Sequence, residues 1–112
     1  MDRRTIEVIK RYKEVIKRYK QELRTLGIRP QRVILYGSRA KREASEHSDI
    51  DVVVISRDFA PMNLRERLEI LGMAAARIME PVQALGYTPE EFEALGEGSF
   101  VGDEVKPVGI EV

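Results

Sequence analysis

The run VILYGSRAKREASEHSDIDVVVIS, Val33–Ser56, joins two β-prone segments through a glycine turn and a charged loop. Its first part, Arg32–Ser38, is a compact β-branched stretch that stops at Gly37 and so reads as a strand. Asp49–Ser56 reads as a second strand, and its three consecutive valines imply burial on both faces. Between them SRAKREA suits a turn or two of helix with Ser38 as N-cap. The same run concentrates the chain's chemistry. Gly37 permits a tight turn and a close approach of backbone to a ligand. Ser38 and the amides after it stand at a helix N-terminus, where unpaired N–H groups and the dipole favour an anion such as phosphate. Arg39 and Lys41 add positive charge beside that turn. Asp49 and Asp51 lie two apart, so on a strand both carboxylates leave the same face.

Two carboxylates held that close repel, and one pKa rises unless a cation lies between them. A hard divalent ion with oxygen ligands, Mg²⁺ foremost, relieves the repulsion and also accepts nucleotide phosphates. Taken alone, Asp-x-Asp at a strand start is often loop polarity, and Gly-Ser turns are common. An anion cradle and a carboxylate pair on neighbouring strand ends together suit transfer chemistry on a nucleoside triphosphate.

The flanking chain supplies helices. Over residues 5–26, Ile9, Tyr12, Ile16, Tyr19, Leu23 and Leu26 recur at steps of three and four and give one apolar stripe, stopped by Gly27 and Pro30. VIKRYK occurs twice, at Val8–Lys13 and Val15–Lys20, a seven-residue repeat that would also suit homo-oligomerisation through this helix. Packing on the protein's own sheet is the simpler expectation. NLRERLEILGMAAARIM predicts a second long helix with Asn63 as N-cap and Glu66 closing a capping box. Pro81–Thr88 is a third strand opened by its proline. TPEEFEALG is a short helix with Thr88 at N-cap, Pro89 at N1, Glu91 at N3 and Gly96 as stop. SFVGDEVK suits a last turn, and VGIEV a closing edge strand. The fold class expected is α/β, α+β in detail: a small mixed β-sheet with helices packed mainly on one face.

At 112 residues, 43% hydrophobic and 34% charged, the chain has the composition of one globular domain. It has no apolar run of membrane-spanning length, and its N-terminus lacks a signal-peptide core, so no membrane association is expected. The absence of cysteine rules out disulfides and thiolate zinc sites and leaves a cytoplasmic location as the expectation. Residues 1–32 carry 11 Lys/Arg against 4 Asp/Glu, and the remainder 8 against 15. A solvated helix face accounts for that split, and nucleic acid is not expected as a partner.

Gly37-Ser38, ten residues (Arg39–Ser48), then Asp49-Ile50-Asp51 resembles the signature of the nucleotidyltransferase superfamily that includes DNA polymerase β. The shortness of the chain is similar to the minimal nucleotidyltransferases that pair with HEPN-domain proteins in toxin–antitoxin modules. The resemblance runs from Arg32 to about Phe92. It implies a nucleotidyltransferase fold over 1–112, with an N-terminal amphipathic helix (1–30) ahead of a catalytic core (31–112). It implies Mg²⁺ at the catalytic pair Asp49 and Asp51, and ATP as substrate with its phosphates near Gly37, Ser38, Arg39 and Lys41. AMP would pass to a hydroxyl acceptor, a tyrosine of a HEPN-type partner, and the chain would act as an antitoxin. Such enzymes normally carry a third carboxylate on the neighbouring strand, and relatives that share a TPEEF segment usually have an Asp five residues before its Thr. Here that position is Gln83, with Glu80 the nearest acid but of opposite strand parity. Two alternatives therefore stand beside transfer to a partner: an antitoxin that neutralises by binding alone, or transfer to RNA or a small molecule through a separate subunit. Arg42 and His47 also fit an Arg-x4-His spacing, which is read as coincidence.

Overall fold

The computed structural model describes residues 3–37 and 49–112, with backbone alone for 3–9 and 11. Helix α1 spans Arg3–Thr25, followed by strands β1 (Arg32–Tyr36) and β2 (Ile50–Ile55). Helix α2 (Leu64–Ile78), strand β3 (Val82–Tyr87), helix α3 (Pro89–Ala94) and strand β4 (Ile110–Glu111) complete the order. The strands form one sheet in the order β3-β2-β1-β4. β1 is antiparallel to both β2 and β4, whereas β2 and β3 run parallel, joined by α2 as the crossover.

Strand parity divides the core into two layers. Val33 and Leu35 of β1, Ile50, Val52 and Val54 of β2, and Val82 of β3 face α1 and α2. There Tyr12, Ile16, Tyr19 and Leu23 of the predicted stripe are buried, and Leu26 packs against them. The described part of the stripe thus lies on the protein's own core, while Ile9 falls outside the described side chains. The Tyr19 hydroxyl donates to the Leu71 carbonyl at 2.9 Å, and burial raises that phenol's pKa well above its ordinary value. Arg18 donates to the Ile78 carbonyl, and Arg77 pairs with Glu22, so polar ties also hold α1 to α2. On the other face Ile34, Val53 and Ile55 meet Phe92 of α3 and the turn Val101–Val105. All three central valines are fully buried because each face is covered.

The local helix signals act as read. Gly27 takes φ +94, and the Ile28 N–H returns to the Leu23 carbonyl to close α1. Both capping boxes form, Asn63 with Glu66 and Thr88 with Glu91. Three expectations shift. The first strand ends at Tyr36 instead of Ser38, because Gly37 already leaves the ladder at φ +75. Pro81 lies just outside β3 and contributes its carbonyl to Ile50 N–H. α3 stops at Leu95 in extended backbone, and Gly96 instead accepts from Ser99 to start the next turn. A 3₁₀ turn at Arg57–Phe59, capped by Ser56, was not legible from the pattern. The helix expected over SRAKREA lies outside the described residues.

Candidate functional site

The site forms at one end of the sheet, where β1 leaves, β2 enters and β3 begins. Tyr36 of β1 lies opposite Asp51 of β2, and Asp51 lies beside Gln83 of β3 in the parallel ladder. Partnered residues share a sheet face, so Tyr36, Asp51 and Gln83 all point away from α1 and α2. Asp51 is partly exposed, and Asp49, just ahead of β2, is exposed. Gly37 fixes the geometry. A Cβ added to it would stand 2.6 Å from Asp51 Oδ2, and its φ of +75 is one that L side chains rarely adopt. The carboxylate therefore packs against bare backbone at the turn, which brings the Gly37 turn and the acid pair into one place.

Gly37→Ala tests that packing. The strained φ costs about 1–2 kcal/mol, and the added methyl must displace the Asp51 carboxylate. We expect a lower melting temperature, read by thermal denaturation.

The aromatic residue beside this turn shares its electrostatics. Burial foremost, then the Asp51 carboxylate and Tyr87, raise the Tyr36 phenol above its ordinary pKa, so it stays protonated at neutral pH. The Phe100 ring meets the Tyr36 ring edge-on, with centroids 5.8 Å apart and planes at 74°. Sequence reasoning missed Phe100, since nothing local links it to β1.

Glu80 does not join the site. Its carboxylate lies 3.9 Å from Arg18 of α1, on the face opposite Asp51, and β3 begins at Val82 without a bulge to turn it. Gln83 is the β3 residue beside Asp51. Among the described residues no three His, Cys, Asp or Glu side chains group as a metal centre. Asp49 and Asp51 can still serve a hard cation: Mg²⁺ commonly takes one or two carboxylates, with waters and substrate phosphates completing its shell. Ser38, Arg39 and Lys41 lie outside the described residues, as do Arg42 and His47.

A cavity of about 610 Å³ at the outer edge of β3 contains none of these residues. Its one buried charge, Arg67, is fully engaged. It donates to the carbonyls of Phe59, Met62 and Gly86 and pairs with Glu91 through two nitrogens, at 2.6 and 3.1 Å. Among the described residues no helix is long and apolar enough to cross a membrane.

Comparison with known proteins accords with this arrangement. A protein of Methanocaldococcus jannaschii named "putative protein adenylyltransferase" is 31% identical over 107 residues, covering 96% of this chain and 97% of that one. A crystal structure described as a "putative nucleotidyltransferase" from Sulfolobus solfataricus superposes with a TM-score of 0.64 at 20% identity, covering 99% of this chain and 87% of that one. That likeness shows a shared fold. The sequence profile of the nucleotidyltransferase domain matches residues 16–107, and domains of this kind generally use a nucleoside triphosphate and a divalent metal. With a carboxylate packed on a glycine turn and a profile match over most of its length, the chain belongs to the nucleotidyltransferase domain family.

Proposed function

We propose that the chain moves AMP from ATP to a hydroxyl group of another protein in the cytoplasm, with Mg²⁺ bound at Asp49 and Asp51. The observation that carries this reading is the contact of the Asp51 carboxylate with Gly37, where phosphates can approach the backbone beside the acid pair. The name of the archaeal relative supports protein as the acceptor class. In the reaction the acceptor oxygen bonds to the α-phosphorus, the bond to the bridging oxygen breaks, and its electron pair leaves with pyrophosphate. Bound there, Mg²⁺ would neutralise phosphate charge that grows as the bond breaks. Asp49 and Asp51 would supply the oxygen ligands, and Gly37, having no Cβ, lets the Asp51 carboxylate sit against the turn. The acceptor must also lose its proton. The Gln83 amide, beside Asp51, cannot take it; among the described residues of the site a carboxylate of the pair can, as can a group on the acceptor protein.

The finer reading makes the acceptor a tyrosine of a HEPN-type toxin, which AMP silences. Gln83 beside Asp51 favours a second reading, in which the chain binds nucleotide and neutralises its partner by association, with little transfer. Incubation with α-labelled ATP, Mg²⁺ and the protein encoded beside it separates the two. Label on the partner that disappears in Asp49→Asn and Asp51→Asn supports transfer; neutralisation that survives both changes supports binding alone.

Gln83→Glu gives an independent check. A carboxylate beside Asp51 adds a proton acceptor, and general base catalysis contributes about 10²-fold or more. We expect faster transfer in a single-turnover assay. An unchanged rate would mean that the proton already has another acceptor.

A further inference from the structure

We infer that Phe100, held edge-on against Tyr36, is a stacking surface for the nucleotide's base, and thus that base stacking adds to affinity at this site. This rests on the transfer reading above and names where the base goes. Three observations place it. Tyr36 is the residue immediately before Gly37, so any phosphate on that turn is adjacent to the ring. It lies opposite Asp51 in the ladder and on the same face, which puts it beside the acid pair. Phe100 packs edge-on against it yet remains 53% exposed, an aromatic surface left open at the mouth of the site. Its neighbour Val101 is fully buried, which anchors the backbone that presents the ring.

An exposed phenylalanine is costly in water, and a planar base is the part of a nucleotide that can cover it. Aromatic stacking tolerates every base, since each has a π-face, and the larger purines cover more ring area. The platform and the acid pair therefore divide the nucleotide between them, ring to ring and phosphate to metal.

Calorimetric titration with MgATP and with magnesium tripolyphosphate tests this on the full chain. Phe100→Ala is expected to weaken MgATP binding about ten-fold, to leave tripolyphosphate binding unchanged, and to be rescued by Phe100→Trp. Circular dichroism would check that the exposed substitution leaves the fold intact. Equal ATP affinity in Phe100→Ala and the native chain overturns the platform, as does an equal loss of both ligands. Unchanged ATP binding with impaired transfer to the acceptor also overturns it and assigns the ring to the acceptor. A native chain that binds neither ligand overturns the platform together with the nucleotide-transfer reading itself.

Discussion

Asp51→Asn should reduce AMP transfer by at least about 10²–10³-fold while leaving the fold in place. The substitution keeps the size of the side chain and its contact with Gly37 but removes its negative charge. Asp51 lies where the turn of β1, the entry of β2 and the start of β3 meet, so its charge acts on whatever occupies that mouth. Relieved of one like charge, Asp49 should bind Mg²⁺ far more weakly by itself. The melting temperature should change little, because Asp51 is partly exposed and contributes no apolar burial. Single-turnover transfer, with thermal denaturation alongside, checks both halves. Full transfer by Asp51→Asn would remove the acid pair from the mechanism.

Arg67→Ala should be the most destabilising single change at a charged residue outside the site. All five guanidinium N–H groups find acceptors, in three carbonyls and both oxygens of Glu91. They tie α2 to the 3₁₀ turn, to β3 and to α3. Truncation strands those carbonyls and an acid, at a cost of about 3 kcal/mol once the partial exposure of Glu91 is discounted. The melting temperature should fall by roughly 10 °C or more. Arg67→Lys should recover little, since an ammonium cannot reproduce the fork. The pair also sets an acid limb. The Arg67 hydrogen bond is the main cause holding the Glu91 carboxyl below its ordinary value of 4.5, with the Thr88 amide assisting. A depressed folded-state pKa stabilises the fold above that ordinary value, and the contribution is lost as pH falls through the folded one. Stability of the native chain should therefore decline below about pH 4.5, and Glu91→Gln should flatten that decline. An Arg67→Ala protein that melts with the native chain would leave the clamp without energetic meaning.

What the sequence disclosed follows from how local each signal is. Asn63 with Glu66 and Thr88 with Glu91 are each closed within one helical turn, so composition and spacing located both helix starts. The α1 stripe was equally plain, because its period is fixed by the helix itself. The sheet order was not, since β4 pairs beside β1 from the far end of the chain. Gly37 and Asp51 were both identified from spacing, but their contact needed the antiparallel register to bring strand end to strand start. The same holds for the third acid. Parity alone separated Glu80 from Gln83, whereas only the ladder shows Gln83 beside Asp51 and Arg18 drawing Glu80 to the opposite face. Phe100 carried no signal at all, for its role depends on a turn folding back onto β1.

The central claim is that the acid pair and the Gly37 turn hold one metal–nucleotide unit. A crystal structure of the chain with a non-hydrolysable ATP analogue and Mn²⁺, recorded at the manganese edge, tests it most directly. An anomalous peak is expected between Asp49, Asp51 and the phosphates, with the phosphates against the Gly37 turn. Nucleotide bound elsewhere, or carboxylates beside the turn with no metal between them, would contradict it.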